Sequence, residues 1–194
     1  MAKAEQALRI ANSTKRLLNV EKKHVDAASS FNPGAISASS VLLTGIAQGD
    51  TNESRDGSSI KLLSLSIHGR IEKSTSTTST VVRIVLVHDK VPDGSAPSHS
   101  DIFQDSDHNS HYQTENMGTK YSIISDKSYV MSDGGGEMKL FRNFKKLNQK
   151  MRFTGTGATI SDISQGALWL FAISNETTNT PTLTFRSRCM YVDN

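Results

Sequence analysis

From residue 36 onward, apolar and polar positions alternate with a period of two. Leu63, Leu65, Ile67 and Ile71 alternate with Ser64, Ser66, His68 and Arg70, which predicts a strand with one solvated face. Thr80–His88 (TVVRIVLVH) is a β-branched run dense enough for a mostly buried strand. Tyr121–Met131 (YSIISDKSYVM) reads as a strand kinked at Ser125-Asp126. Lys139–Leu147 and Lys150–Phe153 read as two more, and Ala167–Ser174 (ALWLFAIS) as the most deeply buried. In Leu183–Val192, Leu183, Phe185, Cys189 and Tyr191 oppose Thr184, Arg186, Arg188 and Met190. With Val41–Ile46 this makes eight strands joined by long polar connectors. No helix-length segment intervenes, which excludes βαβ folds, and the absence of an internal repeat argues against propellers and solenoids. The expected class is all-β: an eight-stranded antiparallel jelly roll of two four-stranded sheets.

The N-terminal part follows another rhythm. Ala4, Ala7, Leu8 and Ala11 stand at helical spacing, and Asn12, Ser13 and Thr14 offer a break and a cap. Residues 27–40 are small, with the turn signal Pro33-Gly34. Residues 1–35 are therefore expected to be a basic, partly helical arm and linker contributing no strand. Residues 36–194 are expected to be the β domain.

Composition sharpens this division. Serine (27) and threonine (17) favour strands and turns over long helices. The net charge is +3. Residues 1–30 hold six bases and three acids, while the remainder is balanced. A basic arm on a neutral body points to nucleic-acid contact through Lys3, Arg9, Lys15, Arg16, Lys22 and Lys23. The longest apolar run, Ala167–Ile173, is too short for a membrane helix, and no secretory leader is expected. A single cysteine, Cys189, excludes an internal disulfide and a cysteine-based zinc cluster.

Catalytic signatures are missing: there is no G-x-S-x-G, P-loop or H-E-x-x-H pattern. The loop holding His99, Asp101, Asp105, Asp107, His108 and His111 has metal-ligand residue types without a ligand frame, so it reads as a polar surface loop. Gly134-Gly135-Gly136 lacks a phosphate-binding partner and reads as a turn. The chain is expected not to be an enzyme and to require no cofactor.

Three stretches carry a family resemblance. They are Gly45–Asp50 with Arg55-Asp-Gly57 and Ile67-His-Gly-Arg70; Tyr121–Lys127 with Phe144-Lys-Lys-Leu-Asn148; and Gly166-Ala-Leu-Trp-Leu170 with the closing Arg188–Asp193. In order and spacing they resemble the coat protein of satellite tobacco necrosis virus and the single jelly-roll capsid proteins of small circular single-stranded DNA viruses. The resemblance implies a capsid subunit. It would self-assemble into a small icosahedral (T=1) shell of about sixty copies and package a single-stranded RNA or DNA genome without a membrane. Its place would be the virion, and the host cytoplasm or nucleus during assembly. It also implies calcium at subunit contacts, at positions matching Asp56, Ser59 and Asp193, whose oxygens suit a hard cation. A jelly-roll carbohydrate-binding or adhesion domain and an enzyme on a β-sandwich stay open as alternatives.

Lettering the eight strands B to I, the viral arrangement pairs B-I-D-G and C-H-E-F. On that lettering Arg83, Lys150, Arg152, Arg186 and Arg188 share the outer face of one sheet, as a basic stripe turned to the genome or to acids of a neighbouring subunit.

Overall fold

Alternation of side chains becomes a two-layer sandwich in the computed structural model, which describes Gln6, residues 21–35 and residues 39–193. The strands are β1 (Lys22–Phe31), β2 (Ser39–Leu42), β3 (Ser59–Glu72), β4 (Ser79–Asp89), β5 (Tyr121–Ser132), β6 (Met138–Phe153), β7 (Ile163–Gln165), β8 (Ala167–Ser174) and β9 (Thr182–Asp193). One sheet runs β1-β9-β3-β6-β7 and the other β2-β8-β4-β5. Every strand pairing within them is antiparallel. With the short β7 set aside, the orders are B-I-D-G and C-H-E-F. The fold is a jelly roll.

The core lies between the sheets. Ile60, Leu62, Leu65, Ile67 and Ile71 of β3 and Leu183, Phe185, Cys189 and Tyr191 of β9 point inward and are buried. They meet Ile84, Leu86 and Leu170 of the opposite sheet in one cluster. All eight residues of β8 are buried, because its second face is covered as well. The cover is the connection between β4 and β5, whose Phe103 is buried and sits edge-on to Phe171 at 6.5 Å. A single helical turn, His99–Ile102, opens that cover and is capped by Ser98 and Asp101.

Close packing explains one glycine inside a strand. Gly69 of β3 lies between Phe141 and Phe185 in register. A Cβ there would stand 2.5 Å from the Phe141 ring and 2.6 Å from the Thr184 carbonyl oxygen. The missing side chain makes room for the ring.

The strand list departs from the sequence expectation in three places. Residues 22–31, expected in a strandless arm, are β1, paired with β9 from Lys22↔Val192 to Phe31↔Leu183. The sandwich therefore begins before the Pro33-Gly34 linker. The two strands expected at 139–147 and 150–153 are one strand, β6, of 16 residues. The segment expected as a strand at 41–46 is extended only over Ser39–Leu42. The sheets accordingly hold five and four strands, and the lettering shifts: Arg83 belongs to strand E, not D.

Candidate nucleic-acid interface

The outer face of the five-stranded sheet follows from registers and alternation. Across β1, β9, β3 and β6, one row reads Lys22, Val192, Lys61, Lys150. Further rows read Asp26, Arg188, Ser66, Phe144 and Ala28, Arg186, His68, Arg142. Ser64 pairs Lys146, and Arg70 lies between Thr184 and Leu140. Arg152 follows Lys150 at the same parity. Nine bases thus share this face: Lys22, Lys61, Arg70, Arg142, Lys146, Lys150, Arg152, Arg186 and Arg188, all exposed. Only two acids within these strands, Asp26 and Glu72, share it with them.

Those acids neutralise little. Arg188 grips Asp26 through two hydrogen bonds, Nε at 2.8 Å and a terminal nitrogen at 2.6 Å. That bond holds the Asp26 carboxyl below the usual carboxylate range and raises the guanidinium. Both side chains are about half exposed, so the pair is screened and contributes little to stability. Arg70 Nε stands 3.3 Å from Glu72. Among the described residues, no ion pair reaches the other seven bases. Seven like charges on one pleated surface repel one another unless a polyanion or a partner's acids meet them.

The family profile described as geminivirus coat protein/nuclear export factor BR1 matches residues 2–194. The chain belongs to that family. It is a viral jelly-roll capsid protein. No curated protein matches it. Among solved structures it is similar to one of Desmodium yellow mottle tymovirus, at 12% identity over 90% of this chain and 81% of that one, TM-score 0.39. It is also similar to a decameric BFDV capsid protein, at 8% identity over 91% and 100%, TM-score 0.41. An empty virus-like particle of cowpea mosaic virus matches at 7% identity over 84% and 78%, TM-score 0.37.

Of the residues singled out in sequence, this coat protein brings Lys22, Lys150, Arg152, Arg186 and Arg188 onto the outer face. Lys3, Arg9, Lys15 and Arg16 lie outside the described residues. Arg83 is not on this face and not in this sheet. It is buried beneath the β4–β5 connection, bound to Asp126 at 2.6 and 3.0 Å and to the carbonyls of Ser110 and His108 at 2.6 and 3.1 Å. Its guanidinium lies 5.3 Å from the Phe103 ring and 5.1 Å from the Tyr112 ring, which stack on each other beside it, and Tyr112 donates to the same carboxylate. Arg83 is a clamp for the loop and is unavailable to phosphate. Four further bases, Lys61, Arg70, Arg142 and Lys146, escaped the sequence reading. Their signal was parity: Arg142 and Lys146 match Lys150 once β6 is continuous, and Lys61 matches Arg70 across the bulge at Leu62/Ser64.

Lys23 turns inward and explains what became of the expected calcium residues. Its Nζ stands 2.7 Å from Asp56 and 3.3 Å from Asp193, with the side chain almost fully buried. The Asp56 bond outweighs desolvation and raises the ammonium's pKa. Lys23 therefore does not face nucleic acid. Asp56 and Asp193 do come together, and the Asp193 carboxylate also accepts from the Asp56 amide at 3.3 Å. The Ser59 hydroxyl and one Asp193 oxygen are buried without a hydrogen-bond partner. The position between the carboxylates is filled by the chain's own ammonium, so this set does not fit calcium as arranged.

The histidine- and aspartate-bearing loop is organised by its own polar contacts. His99 stacks on Phe103 at 4.9 Å and contacts the Asp105 carbonyl at 2.6 Å, and Asp101 caps the helical turn. No group of three or more His, Cys, Asp or Glu among the described residues is placed to hold a metal.

Proposed function

We propose that this coat protein assembles with copies of itself into a closed shell. The outer face of its five-stranded sheet would line the lumen and bind the phosphates of a single-stranded genome. The role is structural, the place is the virion, and assembly occurs in the host cytoplasm or nucleus. The observation that carries this reading is the set of seven exposed bases on one face, without ion-pair partners among the described residues. A surface built to pack against a neighbour would meet acids, whereas a surface facing a polyanion needs the uncompensated charge.

Each phosphate contact made to a single strand releases counterions and contributes about −0.7 to the slope of log K against log salt. Replacing Lys150 and Arg186 together by alanine should flatten that slope by about 1.4. Purified shells of the double variant should carry less nucleic acid at unchanged size, read by the ratio of absorbance at the nucleic-acid and protein bands and by electron microscopy. Loss of shells with no change in the binding of the free subunit would assign this face to subunit contacts instead.

A further inference from the structure

The basic face also carries an aromatic ring that the described residues leave largely uncovered. Phe144 is 61% exposed at the outer side of β6. Its own strand sets Arg142 and Lys146 on either side, each two residues away and roughly 7 Å along the pleat. Its cross-strand partner is small, Ser66, and beyond that stands Arg188. Among the described residues Phe144 belongs neither to the core cluster nor to a ring pair. An open ring bracketed by cations on a flat sheet is the arrangement single-stranded nucleic acid uses: the cations track the backbone and a base stacks on the ring.

We infer that Phe144 is a base-stacking platform which makes this face bind single strands in preference to duplex. The inference rests on the genome-contact reading above and adds the residue by which the face would hold a base and tell a single strand from a duplex. A duplex keeps its base faces inside its own stack and can offer this surface only phosphates. A single strand can turn a base onto the ring while its phosphates meet Arg142 and Lys146. Every base has a π-face, so the contact tolerates any sequence, as packaging of a whole genome requires. Phe144 adds no phosphate contact, so it should raise affinity without changing salt dependence.

The test uses the full-length coat protein, with a short mixed-sequence single-stranded DNA and its duplex as probes. Binding is followed by fluorescence anisotropy over a range of salt. Phe144→Ala and Phe144→Leu should each weaken single-strand binding on the order of tenfold, with duplex binding unchanged. Phe144→Trp should bind the single strand at least as tightly as the parent. The salt slope should stay constant throughout the Phe144 series. The inference is overturned if the leucine variant binds like the parent, because apolar area rather than a π-face would then be what matters. Equal weakening toward duplex would also overturn it. Failure of the underlying reading looks different: Lys150→Ala with Arg186→Ala would leave both the affinity and the salt slope of the parent unchanged. A loss of assembly in both the alanine and leucine variants, with single-strand affinity retained, would place Phe144 against a second copy of the chain and sink the proposal.

Discussion

Asp89, at the end of β4, carries a measurable cost. It is buried, and one carboxylate oxygen has no hydrogen-bond partner while the other accepts from the Val91 amide at 3.2 Å. Burial pushes its pKa up to about 6, with Asp93 and Asp101 adding to the rise and Lys120 opposing it. The protonated acid is therefore favoured in the folded chain. Stability from this group is fully present below the unfolded pKa near 3.8 and is lost as pH rises through 6. At 1.36 kcal/mol per unit, a displacement of two units amounts to about 3 kcal/mol. Most of that loss develops between pH 4 and 7. His88 beside it runs the other way. Burial, helped by Lys90, pushes its pKa down to about 4, so its contribution is present above 6.5 and lost as pH falls through 4. The two slopes oppose each other over the same window, and the parent protein should be nearly insensitive to pH there. Asp89→Asn removes one of them. Its unfolding free energy relative to the parent should be about 2–3 kcal/mol larger, that is more stable, at pH 7 than at pH 4. The single tryptophan, Trp169, pairs with Val87 in the adjoining strand, so its fluorescence during urea unfolding of the unassembled subunit is a suitable reporter. A difference between variant and parent that is the same at both pH values would refute the reasoning.

Two other consequences are open to direct measurement. Removing residues 1–20 should leave a cooperative thermal transition by circular dichroism, whereas removing 1–31 strips β1 from β9 and should abolish it or yield aggregate. Arg83→Ala leaves the Asp126 carboxylate and the loop carbonyls without their guanidinium; it should cost about 3–5 kcal/mol in urea unfolding and make the 99–120 loop the first site of proteolysis.

The legible parts of the sequence were those whose burial is local and one-sided or complete. β4 and β8 announced themselves as apolar runs, and β9 alternates so cleanly that Arg186 and Arg188 could be placed outward from residue types alone. β1 was hidden because its inward side, Lys23, Val25, Ala27, Ser29 and Phe31, carries little hydrophobicity; its strand state is imposed by ten pairings with β9. β6 was split because much of its inner side is only half-buried, with Lys139, Asn143 and Lys145 among apolar neighbours, so the alternation blurs near Asn148-Gln149. Arg83 and Lys23 could not be told from solvent-facing bases. Their partners lie 43 residues away at Asp126 for one, and 33 residues away at Asp56 for the other. A buried base is recognised by its counter-charge, which sequence neighbours do not reveal.

The pairing of the first described strand with the last has a bearing on how the chain is made. β9 is the inner strand between β1 and β3, and its partner Lys22 waits for Val192. A ribosome adding roughly 5–20 residues each second needs on the order of ten seconds or more to bridge that interval. Through that time β1 has no strand to lie against, and the basic sheet is not closed. Folding of such a topology is dominated by non-local pairing and is intrinsically slow. The charged face is thus completed only after β9 has been made, so its bases come together as a surface in one late step.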